Sequence, residues 1–266
     1  MDRKRLAIVG CGHLGNIVTD ACCKGFLPEY ELAGVLGRDE EHAAAMAEKG
    51  NCPVCRSLEE LLEKKPDYVA EMASVQTVKD IAETVLSHGA NLIVLSIGAF
   101  ADQEFYRRVQ ETARKYKTRV HIASGAIGGF DVLRTISLME AAGGRTVQAS
   151  MVTEKGPKSL EHSPLFQEHL MTDTQKAEVF SGSTKDAIAI LPTHVNVSVA
   201  ASLATSGTEQ LDFRIFSVPG MTGDDHKITA EGEGLKATVD VYSQVSDIAG
   251  WSVVALLQNL VSPIMF

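Results

Sequence analysis

The chain has no excess of positive charge and no long apolar run. Its 266 residues carry a formal net charge of −9, which excludes a general binder of nucleic acids or anionic membranes, because such proteins present a basic surface. No apolar run is long enough to cross a bilayer. The basic start, Arg3–Arg5, precedes only a short apolar strand and lacks the features of a secretory signal. We therefore expect a cytoplasmic protein.

Cysteine is also scarce, and every cysteine lies in the first quarter of the chain. The five residues are Cys11, Cys22, Cys23, Cys52 and Cys55. An odd number in a cytoplasmic protein indicates free thiols. Cys52 and Cys55 have the C-x-x-C spacing of redox or zinc sites, but no second pair or nearby histidine cluster completes a zinc site. We interpret them as small apolar residues on a short strand and predict no metal.

A glycine-rich turn near the start of the chain is the most informative motif. An apolar strand, Leu6–Val9, runs into the G-x-G-x-x-G sequence Gly10–Gly15, and an apolar helical segment follows. Gly10 allows a tight turn, Gly12 leaves the backbone open to a pyrophosphate, and Gly15 lets the helix pack close to the sheet. His13 and Leu14 lie inside this loop, where helix N–H groups attract phosphates. We predict a dinucleotide site, the alternative being an ordinary strand-to-helix turn.

Strand and helix patterns alternate through residue 142 and predict a doubly wound α/β domain of the Rossmann type over residues 1–128. The helix over Asp39–Lys49 is expected to stop at Gly50. Ser57 and Glu60 have the spacing of a capping box at the start of a helix that runs through Lys65. The six predicted strands are Leu6–Val9, Glu31–Gly37, Cys52–Cys55, Tyr68–Met72, Leu92–Ile97 and Arg119–Ala123.

The pattern then changes to that of a smaller α+β domain over residues 129–243. Three alternating runs near its end are typical of a mixed or antiparallel sheet with one solvated face. Residues 244–266 hold a C-terminal helix, a candidate to pack back on the first domain. The predicted helices are Gly129–Ala142, Phe166–Gln175, Ser183–Ile190 and Ile248–Leu260, and the predicted strands are Thr146–Thr153, Leu211–Val218, His226–Gly232 and Lys236–Tyr242.

The residues after the second predicted strand bear on the choice between NAD and NADP. NAD sites usually have an Asp or Glu there that binds the ribose 2′-hydroxyl. This chain has Gly37-Arg38-Asp39, and a guanidinium at Arg38 suits a 2′-phosphate. The pattern favours NADP(H) and leaves the use of both cofactors open. The alternative is that Arg38 is a solvated loop residue and Asp39 caps the next helix.

Several later runs resemble motifs of the L-aspartate dehydrogenase family. Glu71–Ser74 is similar to its E-x-A-S, Ser96–Asp102 to its S-x-G-A-L-A-D, and Ser124–Asp131 to its S-G-A-I-G-G-L-D. Pro192–Val197 resembles P-x-N-x-N-V, and Asp225–Ile228 stands where the family has N-x-H-E-I. The first three runs follow strands whose carboxyl ends face one crevice, so we place Ala73, Ser74, Ser96 and Gly98 at the cofactor site.

The resemblance implies an NAD(P)-dependent oxidative deamination of L-aspartate to iminosuccinate. This product hydrolyses to oxaloacetate and ammonia or feeds pyridine nucleotide biosynthesis. The resemblance also implies a homodimer built from a Rossmann domain and an α/β catalytic domain. By position, Ala126 and Asn196 match cofactor-binding residues of the family, and His226 matches its catalytic histidine.

The residue types agree with these roles. Hydride removal from an amine-bearing carbon needs a neutral amine, and histidine is the side chain that titrates near neutrality. His226 follows Gly223-Asp224-Asp225, whose carboxylates are expected to raise its pKa and favour the protonated form. Asn196 can donate to and accept from a carboxamide; the alternative is that it caps an apolar helix.

The second half also departs from the family pattern. Glu154 replaces an arginine, His194 replaces an asparagine, and Val218 replaces an aspartate, while the run before the last helix has changed. A dicarboxylate needs positive partners, and the candidates are Lys155, Lys158, Lys185 and Lys227. Of these we assign Lys155 to the substrate, with His194 as a second contact. Two alternatives to aspartate deamination stay open. One is a related reductase of another small amino or oxo acid, and the other is a nucleotide-binding protein that has lost catalysis.

Overall fold

The computed structural model describes residues 3–191 and 195–266. The chain divides into two compact units, Met1–Gly125 with Ser246–Phe266, and Ala126–Val245. His194, a candidate substrate contact, lies outside the described residues. None of the helices in the described ranges has the length and apolar character needed to cross a membrane.

The first unit contains a parallel sheet of the predicted Rossmann type. In the described residues the first of its six strands lies in the middle, followed on one side by the second and third strands and on the other by the fourth, fifth and sixth. The chain therefore starts in the middle and winds outward in both directions. The central strand is buried from Leu6 to Val9, as expected for a parallel strand covered on both faces. The strands are β1 Lys4–Val9, β2 Tyr30–Leu36, β3 Val54–Cys55, β4 Tyr68–Glu71, β5 Asn91–Val94 and β6 Val120–Ile122.

Helices connect these strands, and a helix from the end of the chain completes the unit. The helices are α1 His13–Cys23, α2 Glu40–Gly50, α3 Leu58–Glu63, α4 Val75–Ser87, α5 Gln103–Tyr116 and α10 Asp247–Val261. The last of these, α10, lies beside α1, where a Cβ atom added to Gly250 would be 2.8 Å from Ile17 Cδ1. The buried Tyr30 hydroxyl donates to the Leu257 carbonyl at 2.8 Å, which ties β2 to α10.

Two boundaries of the first unit show how local conformation departs from the sequence prediction. β5 ends at Val94 rather than Ile97, because Ile97–Ala101 forms a 3-10 turn. Gly50 is the last residue of α2, and Asn51 takes the left-handed conformation, with φ 47°, that ends the helix. This agrees with the tolerance of asparagine for that region.

The predicted capping box at α3 is half formed. The Ser57 side chain accepts a hydrogen bond from the Glu60 N–H at 3.2 Å. The Glu60 carboxylate, however, accepts from the N–H of Arg56 at 2.8 Å, one residue before the cap. The carboxylate therefore holds the loop that leads into α3 instead of closing the usual reciprocal pair.

The second unit has a five-stranded mixed sheet within the described residues. The strands are β7 Gln148–Lys155, β8 Ala177–Ser183, β9 Asp212–Ser217, β10 Asp224–Gly232 and β11 Leu235–Ser243, and the helices are α6 Phe130–Ala142, α7 Pro157–Leu160, α8 Thr184–Ile190 and α9 Asn196–Ala204. The order of the strands is β11-β10-β7-β9-β8. β7 and β9 are parallel, whereas the other neighbours are antiparallel. Helix α6 packs against β10.

The predicted helix over Phe166–Gln175 is wrong. Only a 3-10 turn, Glu168–Met171, forms there. The Thr172 and Asp173 N–H groups both donate to the His169 carbonyl, at 2.9 Å each, which ends the turn. The next residues form the edge strand β8, which the sequence reading missed. A bulge between Glu178 and Phe180 interrupts the register of β8 with β9 and weakens the two-residue alternation that identifies a strand.

Candidate active site

A cavity of about 980 Å³ lies at the carboxyl ends of β1 to β4 in the first unit. This is where α/β sheets of this winding bind their ligands. Four predicted cofactor residues line it, namely Gly10, Gly12, Arg38 and Ala73. Other lining residues include Cys11, Gly37, Asp39, Glu40, Arg56, Ser57, Met72 and Thr77.

The three positions of the first loop require glycine for different reasons. Gly10 has φ +109°, and a Cβ atom on it would lie 2.5 Å from the Met72 carbonyl oxygen. A Cβ atom on Gly15 would lie 2.1 Å from the Gly10 carbonyl oxygen. A Cβ atom on Gly12 would meet no atom within 4 Å, so the fold itself does not require glycine there. A ligand that approaches the backbone does require it, and this fits the pyrophosphate of a dinucleotide.

The N-terminus of α1 is open toward such a ligand. Gly12 caps this helix without a side-chain hydrogen bond, and its first turn carries no acidic residue, so its N–H groups remain available to an anion. Leu14 packs against the apolar core. The His13 ring, which is 62% exposed, bonds to Asp247 at 2.8 Å. His13 therefore links α1 to α10 at the edge of the loop.

A buried carboxylate holds the next two loops together. Glu71 closes β4 and is fully buried. Its Oε1 accepts from the N–H groups of Ala73 and Ser74 at 2.8 and 2.9 Å and from the Ser96 hydroxyl at 2.8 Å, and its Oε2 accepts from the Ser96 N–H at 3.1 Å. Burial raises the pKa of Glu71 although these donors oppose the shift. Ser96 lies just before the turn that contains the buried Gly98, so one side chain fixes both loops.

We expect Glu71→Gln to destabilise the first unit by about 1–3 kcal/mol, because a glutamine amide must point its own donor at one of these N–H groups and leave it unpaired. We also expect weaker binding of NADH or NADPH, because Ala73 lines the cavity. Urea unfolding and dinucleotide titration measure the two effects.

Glu83→Gln is the matched control for Glu71→Gln. It makes the same change at a carboxylate that is 43% exposed and paired with Arg108, so its expected effect lies within about 0.5 kcal/mol. Equal stability of the two variants would contradict the positioning role of Glu71.

In the second unit, His226 lies in a buried polar cluster. On β10, His226 is 4% exposed and faces Thr153 of β7, which is 1% exposed. The Thr153 hydroxyl lies 3.0 Å from His226 Nδ1. Two residues along the same face, Lys155 forms an ion pair with Asp224. The sheet register thus brings His226 together with Lys155, both predicted site residues, and adds Thr153 and Asp224.

The protonation state of His226 is opposite to the sequence expectation. Burial, the largest cause, and the charge of Lys155 together lower the pKa of His226 from its ordinary value of 6.5 to about 4, although Asp224 acts in the opposite direction. Asp225, whose charge was expected to act on it, points to the opposite face because neighbouring residues on a strand alternate. The imidazole is therefore neutral at pH 7.

Glu154 stands where the family pattern has an arginine. By the same alternation, it lies on the opposite face of β7 from Thr153 and Lys155. Glu154 forms an ion pair with Lys176 there. The negative charge therefore lies across the sheet from His226 and does not line the cluster around that histidine.

The remaining predicted cofactor residues of the second unit lie in its loops and at a helix start. Ala126 is in the turn after β6, and Asn196 is the first residue of α9. Their assignment to the cofactor site rests on the sequence resemblance.

The cysteines remain free thiols. Burial raises the pKa of Cys52 to about 11 and raises that of Cys55, so both stay protonated at neutral pH and are poor redox nucleophiles. Of the two, only Cys55 lies in β3, so the reading of both residues as strand positions was wrong for Cys52. Among the described residues, no group of three or more His, Cys, Asp or Glu side chains is arranged to hold a metal ion.

The lowered pKa of His226 predicts a specific pH dependence of stability. The unfolded chain takes up a proton on this residue near pH 6.5 and the folded chain only near pH 4. The wild type should therefore lose about 2 kcal/mol relative to His226→Gln between about pH 7.5 and about pH 5. Urea unfolding of both proteins across this range tests it. A constant difference, or a gain for the wild type in acid, would show that burial does not keep the imidazole neutral.

Known protein families match sequence in both units. A family model described as aspartate dehydrogenase, C-terminal, matches residues 136–260, and one described as homoserine dehydrogenase, NAD binding domain, matches residues 10–123. The L-aspartate dehydrogenase of Methanococcus maripaludis strain C5 is 30% identical over 98% of both chains. That of Methanocaldococcus jannaschii is 26% identical over 98% of both chains. The crystal structure of aspartate dehydrogenase from Thermotoga maritima shares the fold, with a TM-score of 0.74 at 24% identity over 99% of each chain. The chain belongs to the aspartate dehydrogenase family.

Proposed function

We propose that the protein is an NAD(P)-dependent L-aspartate dehydrogenase that converts L-aspartate to iminosuccinate, which hydrolyses to oxaloacetate and ammonia. The observation that carries the proposal is the buried His226–Thr153 pair beside Lys155, in a chain that resembles L-aspartate dehydrogenases along almost its whole length. A bound nicotinamide dinucleotide supplies the hydride acceptor.

His226 is the proposed proton acceptor. In water the amino group of L-aspartate is an ammonium. Its nitrogen must lose a proton before the neighbouring carbon can give up a hydride. A neutral imidazole can take such a proton, whereas an imidazolium cannot. The burial that lowers the pKa of His226 therefore supplies the form that this step needs. Substrate carboxylates that bind nearby would raise the same pKa and increase its basicity.

Thr153 is the proposed positioning residue for His226. A proton on Nδ1 can be donated to the Thr153 hydroxyl oxygen across the 3.0 Å contact, which leaves the lone pair of Nε2 as the proton acceptor. The partner of one ring nitrogen thus selects the tautomer. Both side chains are buried, so water does not compete for this bond.

Lys155 is the proposed partner of a substrate carboxylate, with His194 as a second contact. The Lys155 ammonium is paired with Asp224. A dicarboxylate that enters the cluster can share this charge, and Asp224 keeps the partly buried ammonium compensated until then.

The dinucleotide is proposed to bind along the cavity of the first unit. Gly10, Gly12, His13, Leu14 and Gly15 would hold the phosphates, and Arg38 would contact the adenosine ribose. The further proposed contacts are Ala73, Ser74, Ser96 and Gly98 in the first unit, and Ala126 and Asn196 in the second. Three of these, Ala73, Ser74 and Ser96, donate hydrogen bonds to Glu71.

We further propose a homodimer, from the family resemblance, and a cytoplasmic location, which the free cysteines support. The domains are proposed as a dinucleotide domain over residues 1–128, a catalytic and dimerisation domain over residues 129–243, and a C-terminal helix over residues 244–266.

Turnover with L-aspartate is the direct test of the function. The purified protein should reduce NAD(P) in the presence of L-aspartate, followed by the absorbance of the reduced cofactor, and His226→Asn should lower kcat by about 10²- to 10⁴-fold because general base catalysis is lost. Binding of NADH to the variant should stay unchanged. His162→Asn, at a histidine outside both sites, is the control.

The outcomes separate the alternatives. Turnover only with another amino or hydroxy acid from a panel would replace the substrate, and cofactor binding without turnover on any acid would indicate a protein that has lost catalysis. Full activity of His226→Asn would exclude His226 as the catalytic residue.

Thr153→Val tests the positioning role separately. Valine keeps the volume and removes the hydroxyl, so kcat should fall about tenfold, in line with the loss of one hydrogen bond, and the acid limb of the pH profile should shift. Thr153→Ser keeps the hydroxyl and should restore the wild-type profile. Equal profiles of the valine and serine variants would contradict the role.

A further inference from the structure

We infer that Arg38 and Arg56 together form a subsite for the 2′-phosphate of NADP(H), and that the protein prefers this cofactor to NAD(H). The inference deepens the proposed function by naming the cofactor form. It rests on the dinucleotide use of the cavity and not on the identity of the substrate.

The end of β2 has no room for the acidic residue that binds an NAD ribose. Gly37 follows this strand, and a Cβ atom on it would lie 2.7 Å from Cys11 Sγ and 2.8 Å from Cys11 Cβ. A side chain at this position would therefore displace the phosphate loop. The neighbouring carboxylate, Asp39, accepts a hydrogen bond from the His42 N–H at 2.9 Å. Asp39 thus caps α2, which was the alternative that the sequence left open for this residue.

Two arginines reach the same cavity from neighbouring strands. β2 and β3 pair in parallel with Leu36 opposite Cys55. Arg38 comes two residues after the first of these and Arg56 one residue after the second, so their backbones leave adjacent strand ends, which are about 5 Å apart. Both residues line the cavity. The sequence reading identified Arg38 but not Arg56, because only the pairing of β2 with β3 brings the second arginine to this edge.

Neither guanidinium is used by the fold. Within residues 3–191 and 195–266, the side chains of Arg38 and Arg56 make no hydrogen bond or ion pair, and both are exposed. The loop beneath Arg56 is nevertheless fixed, because its N–H donates to Glu60 and Ser57 caps α3. Two free guanidiniums on held loops suit a phosphomonoester, which accepts paired hydrogen bonds and carries up to two negative charges.

The acidic residues at the cavity oppose the binding of the 2′-phosphate. Glu40 and Asp39 also line it, and their charges repel an added phosphate. One arginine would offset only part of that repulsion. Two arginines offset all of it, and their directed hydrogen bonds then add net affinity for the phosphate. The preference for NADP(H) should therefore depend on both arginines.

Binding of small nucleotides tests the subsite without any turnover. By calorimetry, the wild type should bind 2′,5′-ADP at least about tenfold more tightly than 5′-AMP, and NADPH at least about tenfold more tightly than NADH. Arg56→Ala and Arg38→Ala should each weaken NADPH about tenfold while NADH changes less than about twofold. The double variant should lose the preference, and Arg56→Lys should keep part of it.

Arg107→Ala is the matched control, since it removes the same charge from an exposed arginine on α5 that pairs with Glu111. It should leave both affinities unchanged. NADH binding as tight as NADPH binding in the wild type would overturn the inference, as would equal weakening of both cofactors by Arg56→Ala. Failure of L-aspartate turnover alongside the expected nucleotide binding would instead reject only the proposed substrate.

Discussion

The close approach of three backbone segments at Gly10 is the constraint on which the first unit depends. The turn out of β1 lies against the Met72 carbonyl on one side and the Gly15 backbone on the other. Both contacts exclude a side chain, so β1, α1 and the end of β4 meet at one point. Glu71, next to Met72, extends the junction to β5 through Ser96. A few backbone contacts and one carboxylate therefore hold the loops after β1, β4 and β5 together, and the first two of these loops line the cavity.

Much of the first unit could be predicted from the sequence, because its signals are local. Buried parallel strands are short apolar runs, and glycines and caps mark the ends of the helices between them. The errors concern ends, such as the left-handed Asn51 in place of Gly50. In the second unit, β8 was missed because it is a bulged edge strand with weak alternation. Edge strands are stabilised by pairing with a distant segment, which one sequence does not display.

The candidate sites show the same difference. Motifs led to the predictions for the glycine-rich loop and His226, because the neighbours of these residues in the chain are informative. The sequence offered no signal for Thr153 and Arg56, because their proposed roles depend on strand register, which places residues 73 positions apart, such as Thr153 and His226, side by side. The pKa of His226 was misjudged for a related reason. Neighbouring acids in sequence suggested protonation, but burial and Lys155 dominate. Glu71 carried a usable signal, since an acid that closes an apolar strand needs buried donors.

The membership of α10 in the first unit has a consequence for the order in which the protein matures. Val253, Val254 and Leu257 of this helix belong to the same apolar cluster as Leu27 and Tyr30. A ribosome makes residues 126–245 before it makes α10, so the nucleotide domain must wait with part of its core open to water while the whole second unit is synthesised. Such a nascent intermediate exposes apolar surface that chaperones recognise. The domain that begins first is therefore completed last.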